Sequence, residues 1–315
     1  MYDEQNISIA FGNIRAYDDC DNSTEEDGAM KITTEFDDTL LQNEDKFTDE
    51  FFKQFPLTKR KVQLGDVMQK EYNFPTLYGD VTCAQAIFLC SYEAALKILP
   101  HEKIKPIRAR KDYAVVGIAC YEYKNVLGIP AYNEIALTIA IDVDNPKSKV
   151  LLPLITNKYS GYYVFSMPVT SRENCLRGNY IWGLPKVTQQ IDIDTSGPEA
   201  IIRAFDDEGN EYFKLRVPKE GKPTPMNELT HLYSKLNGKI NKAQTSFKAN
   251  FAINKNMGVL LNPKKQPSKP YLELDDSPSG KAIAALDLQP MPLQLRYAEH
   301  MNACFDYFDE SFELR

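Results

Sequence analysis

The clearest signal along the chain is alternation with a period of two. In "EIALTIAIDV" (134–143), Ile135, Leu137, Ile139, Ile141 and Val143 share one face, and Glu134, Ala136, Thr138, Ala140 and Asp142 share the other. Successive strand side chains point to opposite faces, so this pattern predicts a strand with two unlike faces. The segments 112–121, 162–169, 199–205, 211–217 and 257–262 also read as strands. "DDEGN" (206–210) reads as a hairpin turn between two of them.

Few segments have helical spacing. "SYEAALKILP" (91–100) predicts a short helix with Ser91 as N-cap and Pro100 beyond its end. "TSRENCLRG" (170–178) predicts another, with Glu173 in the first turn and Gly178 as the stop. "PLQLRYAEHMNACFDYF" (292–308) opens on proline and predicts a long terminal helix. Many short strands and few helices give a mainly β (α+β) fold, a curved antiparallel sheet closing into a barrel.

Composition adds a boundary. Residues 1–55 carry 15 acidic and 4 basic residues, whereas the rest carries 29 and 33. The stretch "DDCDNSTEEDG" (18–28) is polar and turn-rich, and "FTDEFFKQF" (47–55) is apolar enough to pack as a short helix. These features divide the chain into an acidic N-terminal extension (1–55) and a main domain (56–315). A net charge of −7 argues against nucleic acid as the main partner. No apolar run approaches the roughly 18 residues of a membrane span, and the N-terminus lacks a signal-peptide pattern, so a cytoplasmic protein with no membrane partner is expected. Six cysteines without Cys-x-x-Cys spacing then read as free thiols. Three dispersed histidines offer no local metal motif, and no glycine-rich phosphate loop is present, so neither metal nor nucleotide chemistry has support.

Candidate chemistry converges on "GNYIWGLPKV" (178–187), which holds the single tryptophan, Trp182. Four lysines follow a proline: Lys147, Lys186, Lys219 and Lys264. Three lie in polar, turn-like surroundings, but Lys186 stands between an aromatic-apolar run and a strand. An amine attacks a ketone only when neutral, and a lysine of ordinary pKa is neutral in roughly one molecule in 2,500 at pH 7. Burial among Trp182, Leu184 and Val187 would favour the neutral form. The Schiff base formed would act as an electron sink for cleaving a neighbouring bond. The alternative is a strand-end lysine with its stem on apolar surface and its amine in water. Strand alternation puts Lys186, Thr188 and Gln190 on one face, a polar lining suited to a cavity.

The stretch resembles the Gly-Arg-Glu-Ile-Trp-Gly-Phe-Pro-Lys signature of the acetoacetate decarboxylase family. Gly178, Ile181, Trp182, Gly183, Pro185 and Lys186 match it. "IPAYNEIAL" (129–137) resembles that family's Pro-x-Tyr-x-Glu strand start, and "AIFLCSYEAALKILP" its early strand and short helix. The resemblance covers about residues 75–310. It implies a cone-like β-barrel, Lys186 as the Schiff-base lysine, Glu134 as the acid/base group, a homo-oligomer, and no cofactor. Tyr132, Tyr180, Trp182 and Gln190 are the expected substrate contacts.

Three departures matter. Val187 stands where decarboxylases of this family carry a second lysine, Asn179-Tyr180 replaces their Arg-Glu, and no arginine lies at 79–90 to hold a carboxylate. The expected function is therefore a Schiff-base lyase acting on a small keto acid or keto compound, by decarboxylation or by aldol or dehydration chemistry. The alternative is a non-catalytic small-molecule binder on the same barrel.

Overall fold

A computed structural model describes residue 36, residues 43–143 and residues 160–314. The acidic stretch 18–28 lies outside the described residues. Strands hold 56% of the structure. Seven of them close into a barrel: β1 (Thr76–Ser91), β2 (Tyr113–Val126), β3 (Tyr132–Val143), β4 (Gly161–Val169), β5 (Lys222–Leu236), β6 (Lys239–Lys255) and β7 (Gln294–Phe308). The order around the ring is β3-β2-β1-β7-β6-β5-β4, with β4 returning to β3.

An odd ring cannot alternate direction at every step, so one neighbouring pair must run parallel. That seam joins β4 to β5 through Tyr162–Leu232 and Tyr163–Tyr233. Gly161 opens it, and a Cβ there would fall 2.9 Å from the Tyr233 ring and closer still to the His231 carbonyl. Only glycine allows that backbone approach.

A four-stranded antiparallel sheet (Ile191–Asp194, Glu199–Phe205, Glu211–Pro218, Leu272–Leu274) packs on the barrel. The expected "DDEGN" hairpin is within it, and Asp206 accepts the backbone N–H groups of Glu208 and Asn210. The two faces of β3 reach different cores. Ile135, Leu137, Ile139 and Ile141 join a cluster with Ile202, Phe213 and Leu215 of this sheet, whereas Tyr132 and Ala136 join a second cluster with Tyr123, Met167 and Trp182. Every position of β3 is buried, so the polar face of the alternation turns inward rather than to water.

The helices are short: α1 (Glu50–Lys53), α2 (Tyr92–Ile98), α3 (Arg172–Arg177) and α4 (Pro278–Ala284). Ser91 caps α2 as expected, accepting from Ala94 N at 3.3 Å. Around α1, Phe47, Phe51 and Phe52 pack against Leu77, Leu127 and Cys304 of the main body. A hairpin of strands Thr58–Leu64 and Met68–Phe74 precedes β1.

Four expectations are corrected. Residues 292–308 form no helix but strand β7, hydrogen-bonded to β1 and β6. Register shifts between Ala298 and Ala303 reset its alternation, and a broken period of two imitates helical spacing. Residues 257–262 hold a single 3-10 turn, Met257–Leu260, in which only Val259 is buried. Gly178 does not stop the helix after α3: with φ −57° it continues into a wide turn over Gly178–Trp182, which ends at Gly183 in the left-handed region with φ 68°. Cys83, Cys90, Cys120 and Cys304 are free, as expected, and buried, whereas Cys175, also expected to be free, is disulfide-bonded.

Candidate active site

Strand register brings the two key side chains together. Strand β4 pairs with β3 on one side, Val169 facing Glu134, and with the short strand Lys186–Thr188 on the other, Met167 facing Lys186. Paired residues point to the same face, so Glu134 and Lys186 emerge on one face from the two strands flanking β4. Their side chains meet across it: Lys186 Nζ lies 2.6 Å from Glu134 Oε2. Lys186 is 4% exposed and Glu134 5%, so this is a buried pair and not a solvated strand end.

The backbone of Lys186 is fixed by Asn179. Lys186 N donates to Asn179 Oδ1 at 3.0 Å, and Asn179 Nδ2 donates to the Lys186 carbonyl at 3.1 Å. This gives a physical role to one departure from the signature. Tyr180, the other, lies against the hairpin, where its ring would collide with any Cβ at Gly65. Val187 turns to the opposite face of its strand and is half-buried.

Glu134 has further partners. Tyr123 donates its hydroxyl to Oε1 at 3.2 Å, and Asn174 reaches Oε2 at 3.5 Å. Tyr78, Tyr121, Tyr123 and Tyr132 form a ring cluster, with centroids 4.6 Å apart for Tyr78–Tyr123, 5.2 Å for Tyr121–Tyr123 and 4.8 Å for Tyr123–Tyr132. The Tyr132 ring lies 5.8 Å from Lys186 Nζ. Burial pushes the Tyr78 phenol up to about 12 and the other three also upward, so all four stay protonated.

Electrostatics at Lys186 are balanced between opposing effects. Burial holds its pKa below the usual amine value, the charge and hydrogen bond of Glu134 push it up, and the Arg177 guanidinium pushes it down. The net direction is downward. Arg177 thus supplies a cation near the amine, although Val187 does not.

Of the sequence-derived residues, Lys186, Glu134 and Tyr132 come together here. Trp182 stacks on Phe305 at 4.8 Å and Phe74 at 5.9 Å, and its indole donates to the Asp306 carbonyl at 3.0 Å. Those contacts are core packing. Gln190 lies beyond the strand Lys186–Thr188 and donates to Asp192 at 3.4 Å. The sequence reading missed Tyr78, Tyr121, Tyr123, Asn174 and Arg177. Only "YEYK" carried a usable signal, because Tyr121 and Tyr123 alternate on β2 and pair with Glu134 and Tyr132. Among the described residues no group of three or more His, Cys, Asp or Glu could hold a metal ion, and no helix is long and apolar enough to cross a membrane.

The model of the acetoacetate decarboxylase family matches residues 56–247, more than half of the chain, and the chain belongs to that family. No curated protein sequence matches. Among solved structures, one described as structural studies of acetoacetate decarboxylase superposes with TM-score 0.52 at 9% identity, covering 75% of this chain and 88% of that one. Acetoacetate decarboxylase from Legionella pneumophila superposes with TM-score 0.51 at 10% identity, covering 91% and 97%. At such identities the likeness is one of fold.

Proposed function

We propose that the protein is a Schiff-base-forming lyase acting on a small keto compound, with Lys186 as nucleophile and Glu134 as the proton-transfer group. The observation that carries this reading is the buried contact of 2.6 Å between Lys186 Nζ and Glu134 Oε2.

That contact serves each step. Proton transfer from the ammonium to the carboxylate gives a neutral amine and a protonated acid within one hydrogen bond. The amine attacks the substrate carbonyl carbon; the oxygen takes one proton from Glu134 and a second from the attacking nitrogen, relayed by the same carboxylate, and leaves as water. The resulting iminium carries the positive charge the ammonium carried, and the Glu134 carboxylate again faces it. The iminium accepts the electron pair of an adjacent carbon–carbon bond, yielding an enamine and either carbon dioxide or a carbonyl fragment. Protonation of the enamine carbon and hydrolysis release the product and restore Lys186. The tyrosine phenols, which stay protonated, are hydrogen-bond donors around the reacting carbon. No external cofactor is needed for this sequence.

The test is reductive trapping. Incubation with a panel of keto acids and ketones, followed by borohydride, produces a stable adduct on Lys186 by mass spectrometry, absent in Lys186→Ala. The absence of any adduct across the panel leaves a non-catalytic binder in its place. Carbon dioxide release, assayed separately from aldol products, then assigns the bond that breaks.

A further inference from the structure

Six charged side chains are buried among the described residues: Lys70, Glu134, Asp142, Glu173, Arg177 and Lys186. Four of them pair off, Lys186 with Glu134 at 2.6 Å and Lys70 with Glu173 at 2.9 Å. Asp142 lies at the far end of β3, beside Ser160. Arg177, with no exposed surface, meets no carboxylate among the described residues. Its Nη2 donates to the Thr76 hydroxyl at 2.8 Å, and its guanidinium lies 4.4 Å from the Tyr72 ring centroid. Nε and Nη1 carry N–H groups with no acceptor among the described residues.

The nearest acid along the helix is already engaged. Glu173 stands four residues before Arg177 on α3, but its Oε1 accepts the Tyr72 hydroxyl at 2.6 Å and faces Lys70, and its buried Oε2, which has no hydrogen-bond partner among the described residues, forms no ion pair with Arg177. A desolvated charge with unmet donors is strongly unfavourable unless an anion or ordered water completes it. An anion offsets the charge as well as the donors, and the position of Arg177 says which one. Gly178, the next residue, lies against the aliphatic stem of Lys186, and the Arg177 charge acts on Lys186, Tyr78 and Tyr132 alike.

We propose that Arg177 holds the carboxylate of the same molecule whose carbonyl meets Lys186, so that the ligand is a keto acid and not a neutral ketone. This rests on the Schiff-base reading above. Arg177 is outside the matched signature positions, and it provides the guanidinium that residues 79–90 lack. A guanidinium is well suited to this task because its planar fork matches a carboxylate and its charge persists in a buried setting.

The experiment compares isosteric acids and amides: acetoacetate with acetoacetamide, and pyruvate with pyruvamide. The reading is the concentration giving half-maximal borohydride-trapped adduct on Lys186. The wild-type protein traps each acid at a concentration roughly tenfold or more below its amide, and Arg177→Gln brings that acid-to-amide ratio to within about threefold of one, a ratio that cancels any effect of the lost charge on Lys186 itself. Equal trapping of acids and amides, or a preference that survives Arg177→Gln, overturns the role of Arg177 while leaving the Schiff base intact. The absence of adduct with all four compounds instead overturns the Schiff-base reading, and this proposal with it. If Arg177→Gln does not fold, competition in the wild-type protein decides: propionate suppresses trapping and propionamide does not. Suppression by both equally, or by neither, contradicts the proposal.

Discussion

Gly178 lies directly on the side chain of Lys186: a Cβ built there would fall 2.6 Å from Lys186 Cε and 2.9 Å from Cγ, nearest of all to Cδ. The backbone at Gly178 is ordinary helix, φ −57°, so glycine is needed there for space and not for conformation. Gly178→Ala therefore pushes the lysine stem away from its glutamate. We expect a destabilisation of about 1–3 kcal/mol, as for other overpacked sites, and slower trapping on Lys186. Thermal unfolding and adduct mass read both effects. An alanine variant with wild-type trapping would mean that the stem moves aside freely.

The pH dependence follows from the direction at Lys186. Burial, the largest effect, lowers its pKa below 10.5. The rate of adduct formation should therefore rise with pH to a midpoint below 10.5, measured by quenching with borohydride at fixed times. Stability carries the same sign. Between the folded pKa and 10.5 the unfolded chain binds more protons than the folded one, so the protein gains stability as pH rises through that window. Urea titrations from neutral to alkaline pH should show this gain in the wild type and not in Lys186→Met/Glu134→Leu, which lacks the pair.

Glu134→Gln keeps the shape of the side chain and removes the proton acceptor 2.6 Å from the amine. General acid–base groups contribute about 10²–10⁴ in rate. The expected outcome is a trapping rate at neutral pH lower by about 100-fold or more, with stability measured in parallel by urea unfolding. A variant that traps at the wild-type rate would remove Glu134 from the mechanism.

The second buried pair supports the site from the hairpin. Lys70 Nζ and Glu173 Oε1 are 2.9 Å apart, with side chains 3% and 0% exposed. Removing one member leaves a buried charge, at a cost of about 3–5 kcal/mol, whereas replacing both by apolar residues is far milder. Lys70→Met should therefore destabilise more than Lys70→Met/Glu173→Leu, an order of effects that equilibrium unfolding measures directly. If the double variant is the weaker of the two, the pair itself is the source of stability.

The sequence was most legible where local pattern and tertiary packing agree. The alternation at 134–143 identified β3 and its two unlike faces, and Ser91 announced α2. Reading Lys186 with Glu134 required the motif, because 52 positions separate them and only the register through Val169 and Met167 joins them. The failures have particular causes. Bulges in β7 broke its period, and Gly178 looked like a helix stop although its small size makes room for Lys186. Trp182, which drew attention as the single tryptophan, packs on Phe74 and Phe305 and also lies 5.8 Å from the Arg177 guanidinium. Arg177 was legible only as an arginine displaced one place before the glycine of the motif, because its burial and unmet donors come from what surrounds it, which no spacing in the chain encodes.

Attack of Lys186 on a carbonyl, with Glu134 as its proton partner, is read in a single experiment by borohydride trapping with acetoacetate and pyruvate followed by peptide mass spectrometry. The expected outcome is a reduced adduct confined to Lys186, lost in Lys186→Ala and strongly slowed in Glu134→Gln. An adduct on another lysine, or none in a folded wild-type protein across the whole keto panel, would contradict it.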